Sequence, residues 1–323
     1  MIPEHYFEVI CCPKCKADLQ ANSEKDELFC PSCKSTYPVI EDIPVLLPGV
    51  EDEVSQIVKQ FYDSEWTRNR AGVLKARVQH EDLSHLGQLY TKMNEDRFLS
   101  LFDPKRGQSF FLDAGAGAQP RVEFGSKYTY HICVDFSLDG LVESRKLLGE
   151  RAICVCGSLL SMPLKDLRCD GIIASHVLYH IDKDLQGDAI RELHRVLRPE
   201  GKLLVFYRNP NSLEASIIKG KAAIKKGLNK VIGRKETTIK GENTLYYYSN
   251  SINHMLSILN TEFGSSRVSI KSLRMFTIRV TQKAFDSRLL GRTIFKATVL
   301  IEKILRRKPS FSSYVAYVAE RSH

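Results

Sequence analysis

Two short knuckles near the N-terminus restrict this chain more than any other feature. Cys12-Pro13-Lys14-Cys15 and Cys30-Pro31-Ser32-Cys33 are C-x-x-C pairs separated by 14 residues. Each pair can place two thiolates about one tetrahedral ion, and two pairs close a four-sulfur site with no open position. Such a site is structural. Zn²⁺ held by Cys12, Cys15, Cys30 and Cys33 supplies folding energy that so small a unit lacks on its own. Disulfides are the competing reading of the nine cysteines. Against them, five cysteines crowd into residues 11–33, unlike the spread frame of a secreted protein. Cys11 is a spare, and Cys133, Cys154, Cys156 and Cys169 read as small buried hydrophobes on or beside strands.

The knuckle unit covers residues 1–48 and ends in Pro44-Val45-Leu46-Leu47-Pro48. Residues 49–106 read as helical. Val54, Ile57, Val58 and Phe61 recur at three- and four-residue spacing, and a second helix is expected over Tyr90–Phe102, stopped by Asp103-Pro104. From residue 107 the period changes. Strands are expected at Ser109–Leu112, Tyr130–Val134, Ala152–Val155, Gly171–Ala174 and Lys202–Tyr207, with helices at Leu138–Leu148 and Asp184–Leu197 between them. That alternation predicts an α/β fold with a doubly wound, mostly parallel sheet. Further on, Ser249–Asn260 reads as an amphipathic helix, Val268–Val280 as β-like and Ser313–Ala319 as a last strand.

The charge is +9 overall but unevenly spread. Residues 1–60 carry eleven acids and five bases, while residues 211–240 and 283–308 each carry eight bases and two acids. The concentrated basic text predicts a polyanionic partner, nucleic acid or a membrane surface, or else two solvated helix faces. No apolar run approaches 18 residues, and Met1–His5 carries neither a basic nor an apolar leader region. The expectation is a cytoplasmic protein, with peripheral membrane contact through its basic helices as an option.

Phe111-Leu112-Asp113-Ala114-Gly115-Ala116-Gly117-Ala118 follows the first strand of the α/β region. A glycine-rich turn there lets backbone approach a nucleotide closely at a helix N-terminus. About twenty residues later Val134-Asp135-Phe136-Ser137 places an acid at the end of the second strand, where it can accept hydrogen bonds from ribose hydroxyls. The loop alone also fits a dinucleotide enzyme.

Taken together the motifs resemble two families. The knuckles, followed by Tyr37-Pro38-Val39-Ile40-Glu41-Asp42-Ile43-Pro44-Val45-Leu46-Leu47, resemble the Trm112-like zinc ribbon, which occurs as a partner of methyltransferases or fused ahead of them. Asp113-x-Gly115-x-Gly117, Asp135 and Arg195-Val196-Leu197-Arg198-Pro199-Glu200-Gly201 resemble class I S-adenosylmethionine-dependent methyltransferases of the type 11 group, with a Rossmann-like sheet. Phe61-Tyr62-Asp63 resembles the helix that closes over the cofactor in that family. The resemblance implies S-adenosyl-L-methionine as cofactor, held by Asp113, Gly115, Gly117, Asp135, Phe136, Ser158, Leu159, Ser175 and Tyr62. One departure stands out. The family often has Gly-Asp at the end of strand three, whereas this chain has Gly157-Ser158, an uncharged acceptor that predicts weaker binding.

The acceptor side of this fold lies after strand four, in Ser175-His176-Val177-Leu178-Tyr179-His180. His180 and His176 are candidate general bases for a hydroxyl acceptor, His180 preferred by position, with packed or capping histidines as the alternative. The segment lacks the [DNS]-P-P-[YFW] pattern associated with exocyclic base amines. The leading expectation is O-methylation of a small-molecule, glycan or lipid-linked acceptor. RNA is the alternative, and a non-enzymatic adaptor is a third reading. Tyr246-Tyr247-Tyr248 adds an aromatic cluster that can stack on a sugar or base, or simply pack.

Overall fold

The computed structural model describes residues 2–322 except 23–25, 50–51, 69–71, 76–80, 105–106, 233–244 and 288–289, and only the backbone of 223–232. Much of the basic text in 211–240 lies outside the described residues and side chains, as does Leu289.

Among the described residues, eleven strands form one sheet. In chain order they are β1 Gln20–Asn22, β2 Glu27–Phe29, β3 Thr36–Ile40, β4 Ile43–Leu46, β5 Phe110–Ala114, β6 Tyr130–Asp135, β7 Ala152–Gly157, β8 Cys169–Ser175, β9 Leu197–Arg208, β10 Val268–Arg274 and β11 Tyr314–Glu320. The spatial order is β1-β2-β3-β4-β7-β6-β5-β8-β9-β11-β10. β7, β6, β5, β8 and β9 are mutually parallel, whereas β11 runs antiparallel between β9 and β10. The fold is therefore the α/β, doubly wound, mostly parallel arrangement expected. The order reverses at β5, and the loops at that switch point are where such sheets bind ligands. The central strands read FFLDA, AICVCG and CDGIIAS because both faces are covered, so apolar residues run continuously instead of alternating.

The cysteine-rich unit is continuous with this sheet. β4 pairs in parallel with β7, Val45 opposite Cys156 and Leu46 opposite Gly157. Tyr6 Oη donates to the Ala152 carbonyl at 3.2 Å and accepts from Cys154 N–H at 3.2 Å. Cys11 N–H and Lys165 N–H complete a two-way exchange with the Pro163 and Val9 carbonyls. Lys16 Nζ reaches the Met162 carbonyl and Glu192 at 3.0 Å each. Tyr6, Ile10, Leu28, Tyr37 and Leu46 share one core cluster with Leu112, Ile132, Val155 and Leu193.

The helices are α1 Glu53–Glu65, α2 His85–Glu95, α3 Leu138–Leu148, α4 Gln186–Val196, α5 Leu213–Ile232, α6 Ile252–Phe263, α7 Ile278–Phe285 and α8 Gly291–Leu305. Asp52, Ser84, Ser137 and Ser251 cap α1, α2, α3 and α6 by accepting a backbone N–H, which is why these helices start where they do. The expected helix over Tyr90–Phe102 starts earlier, at His85, and tightens to a 3₁₀ turn over Asp96–Leu101. The β-like text 268–280 is also corrected. It is a strand only to Arg274, and α7 begins at Ile278. There Glu214, 63 positions away, accepts both the N–H (2.7 Å) and the hydroxyl (2.6 Å) of Thr277. That distant carboxylate holds the residue just before the helix. No helix among the described residues is long and apolar enough to cross a membrane. On α8, Leu300 and Ile304 are exposed.

Candidate functional site

The four knuckle cysteines converge. Their sulfurs all lie within 4.8 Å of one another, with Cys12–Cys33 and Cys15–Cys30 at 3.5 Å. A tetrahedron of Zn–S bonds near 2.3 Å has edges of about 3.8 Å, so this cluster fits Zn²⁺ with little adjustment. Tyr37 Oη sits 3.1 Å from Cys12 Sγ, placed to donate to its thiolate. An outer-shell donor of that kind fixes a ligand's orientation. The tyrosine of the Tyr37-Pro38 tail thus belongs to the zinc unit chemically.

The second site is a cavity of about 1660 Å³ over the carboxyl ends of the parallel strands. Single drug-sized ligands occupy roughly 300–1,000 Å³, so this one has room for two molecules side by side. One end is built from the glycine turn. Gly115 and Gly117 both have left-handed backbones, φ +76° and +51°. A Cβ on Gly115 would lie 2.4 Å from Val177 Cγ2, and one on Gly117 would lie 2.4 Å from the Trp66 ring. Neither position admits a side chain, and the bare backbone is what a nucleotide needs for close approach. Asp135 accepts Gly117 N–H and Ser137 N–H at 2.9 Å each. Its carboxylate keeps further lone pairs for a ribose. Burial raises its pKa to about 6 against the pull of those two donors, and the Asp113 and Asp63 carboxylates push the same way.

Asp113 is spent mainly on the loop: it accepts Arg121 N–H at 2.5 Å and lies 3.7 Å from His131 Nε2. Ser158 is buried and accepts Leu160 N–H at 3.1 Å, opening the 3₁₀ turn Leu159–Ser161. Ser175 Oγ is buried at the end of β8 with no hydrogen-bond partner among the described residues, an orphan that a bound ligand would satisfy. Phe136, Ser158, Leu159 and Ser175 all line the same cavity as the two glycines and Asp135. The glycine cradle, the carboxylate and the orphan hydroxyl together fit S-adenosylmethionine.

Helix α1 closes this end. Tyr62 and Trp66, four residues apart, stack at 5.6 Å, and the Tyr62 hydroxyl lies 3.2 Å from His180 Nε2. Trp66 belongs to none of the sequence motifs, although it is the single tryptophan and follows Tyr62 at helical spacing. If Gly117 frames the cofactor, Gly117→Ala is expected to weaken S-adenosylhomocysteine binding tenfold or more. It would cost about 1–2 kcal/mol of stability through its left-handed backbone. Titration calorimetry beside a melting curve checks this, and unchanged affinity would remove Gly117 from the site.

The two histidines occupy different surroundings. His180 Nδ1 is 3.0 Å from the Tyr246 carbonyl, so Nδ1 carries the hydrogen and Nε2 presents its lone pair to Tyr62. His176 is half-buried, with a left-handed backbone (φ +61°) and a buried Nδ1 that has no hydrogen-bond partner among the described residues. Burial, with Arg121, Arg274 and His180 nearby, holds its imidazole well below the usual range. Of the three tyrosines, Tyr247 lines the cavity and Tyr246 anchors Lys183 N–H, while Tyr248 N–H donates to the Tyr179 carbonyl.

The comparisons with known proteins agree with this architecture. Residues 112–205 match the methyltransferase domain family, and residues 6–42 match the Trm112p-like proteins. The chain is an S-adenosylmethionine-dependent methyltransferase. More particularly, a Trm112-like region with four clustered cysteines precedes its methyltransferase domain. A UPF0434 protein of Pseudoalteromonas translucida is 48% identical over 58 residues, 18% of this chain and 89% of that one. An uncharacterized protein of Methanocaldococcus jannaschii is 29% identical over 206 residues, 62% of this chain and 80% of that one. Among solved structures, geranyl diphosphate C-methyltransferase from Streptomyces coelicolor is similar in fold, at TM-score 0.51 and 15% identity, covering 84% of this chain and 100% of that one. The [4+2]-cyclase SpnF matches at TM-score 0.51 and 16% identity, over 85% and 99%. One fold hosting a methyltransferase and a cyclase leaves the acceptor to be argued from the site.

Proposed function

We propose that this methyltransferase O-methylates a small-molecule, glycan or lipid-linked acceptor, with His180 as general base. The observation that carries the reading is the fixed tautomer of His180. Its Nδ1–H is held by the Tyr246 carbonyl, so Nε2 is the basic atom, and it faces the cavity beside Tyr62 Oη. A hydroxyl acceptor must lose its proton as the methyl group arrives, and a base within hydrogen-bond reach supplies that step. S-adenosylmethionine, when bound, supplies the electrophilic methyl group. Asp135, Phe136, Ser158, Leu159 and Ser175 hold the cofactor between the Gly115–Gly117 turn and the α1 lid. His176 suits a different role. Kept neutral, it offers a hydrogen bond at Nδ1 but accepts a proton poorly.

His180→Gln is expected to lower kcat about 10²–10⁴-fold while leaving S-adenosylhomocysteine affinity unchanged. An unaltered kcat would sink the assignment. The acceptor class is tested by incubating the protein with methyl-labelled S-adenosylmethionine and a cell extract, then separating RNA, lipid, glycan and protein. Label in lipid, glycan or small molecules supports the reading. RNA is the second reading, favoured by Lys219 and Lys221, which are exposed beside the exposed Ile217 and Ile218 on α5. The same face suits a membrane surface carrying the acceptor.

A further inference from the structure

The far end of the cavity is cationic in an unusual way. Three neighbouring strands place Arg208, Tyr314 and Arg274 in one row: Tyr314 is opposite Arg208 across β11–β9 and opposite Arg274 across β11–β10. The register of β10 shifts between Ser272 and Arg274, so a bulge sets the direction of the Arg274 side chain. Bulges beside sites commonly re-aim a side chain in this manner. Both guanidiniums lie against the same Tyr314 ring, Arg208 at 5.7 Å and Arg274 at 5.9 Å, and His176 meets that ring at 5.1 Å. All four residues line the cavity.

Arg274 is only 4% exposed, yet its Nε and Nη2 have no hydrogen-bond partner, and it forms no ion pair among the described residues. Among the described residues its one hydrogen bond is Nη1 to Thr91 Oγ1 at 3.4 Å, and besides Tyr314 it lies over the Tyr90 ring at 5.1 Å. Two nearby carboxylates hydrogen-bond to other groups. Glu214 accepts from Thr277 N–H and Oγ1 and from Ser313 Oγ, attracting Arg208 at longer range. Glu302 accepts from the Tyr90 hydroxyl and from Met275 N–H through Oε1, forms no ion pair with Arg274, and keeps a buried Oε2 with no hydrogen-bond partner among the described residues. A buried guanidinium whose donors are unspent is costly unless a ligand completes it, and its planar fork matches a carboxylate or phosphoryl group.

We propose that the acceptor carries an oxyanion, phosphoryl or carboxylate, and that Arg274, with Arg208 beside the Tyr314 ring, forms the subsite that holds it. This rests on the methyltransferase reading of the same cavity. The anionic end of the acceptor sits in the Arg208–Arg274 row, and its hydroxyl is presented toward His180.

The test is calorimetric titration of the full chain, saturated with S-adenosylhomocysteine, using inorganic pyrophosphate, phosphate and acetate as probes. At least one probe is expected to bind, and Arg274→Gln is expected to weaken it about tenfold or more while S-adenosylhomocysteine affinity is retained. Tighter binding of pyrophosphate or phosphate identifies a phosphoryl acceptor, and tighter acetate binding a carboxylate. No probe binding to the wild type, or equal binding to Arg274→Gln, overturns the proposal. Failure of the wild type to bind S-adenosylhomocysteine instead overturns the cofactor reading beneath it. Should Arg274→Gln not fold, Arg208→Gln on the half-buried side of the row makes the same distinction.

Discussion

Removing the zinc from this protein is expected to lower the melting temperature of the whole chain by about 5–10 °C and to make it aggregate. A tethered accessory ribbon would melt separately and leave the catalytic domain intact. Here β4 covers the edge of β7, and Tyr6 satisfies both a carbonyl and an N–H of that strand. Losing the ribbon exposes a strand of sequence AICVCG with every residue buried in the native state, an edge prone to pair with other chains. Calorimetry of chelated, reloaded and Cys30→Ser protein checks this. A single lowered transition, restored by zinc in the wild type only, is the expected result. An unchanged catalytic-domain transition would show that the ribbon is dispensable to the sheet.

The second large effect concerns Asp135. Asp135→Ala is expected to weaken S-adenosylhomocysteine binding by a hundredfold or more, because a carboxylate accepting two ribose hydroxyls contributes about 1.5–3 kcal/mol per charged hydrogen bond. The wild type carries its own pH signature. The Asp135 pKa is raised by burial from 3.8 to about 6, so below pH 6 the free protein holds this group protonated. Cofactor affinity is therefore expected to fall as pH drops from 7 through 6, approaching tenfold per unit below it. The stability sign is opposite. An acid with a raised pKa in the folded state favours folding most when protonated, so its contribution is greatest below pH 3.8 and declines as pH rises to about 6. Affinity titrations and melting curves across pH 4.5–8 separate the two trends. Flat affinity across that range would exclude Asp135 from the cofactor site.

Much of this molecule was legible in residue order because it is written in local text. The C-x-x-C knuckles define a four-sulfur cluster by spacing alone, and the structure brings the four sulfurs together. The glycine turn and the acid at the end of the second strand lie on consecutive β-α units, so the sheet topology places Gly117 and Asp135 in contact. The apolar runs at 110–114, 152–157 and 169–175 state that both faces of the sheet are covered.

What residue order left open depends on partners far apart along the chain. Val268–Val280 reads as β-like, yet the strand ends at Arg274 and a helix begins at Ile278, next to Thr277, which the distant Glu214 carboxylate holds. Local pattern offered no reason to join Arg208, Arg274 and Tyr314. They meet because β11 inserts antiparallel between β9 and β10 and because a bulge redirects Arg274. The two histidines look equivalent in Ser175–His180, yet a carbonyl from residue 246 holds Nδ1 of His180, while burial, with Arg121 and Arg274 nearby, holds the His176 imidazole well below the usual range. Spacing along the chain determined the metal cluster, the sheet and the cofactor turn, since each needs only near neighbours and a repeating period. Tertiary structure alone decided the acceptor side and the merging of ribbon with sheet, because burial and long-range pairing, which set charge state and side-chain direction there, are not properties of local sequence.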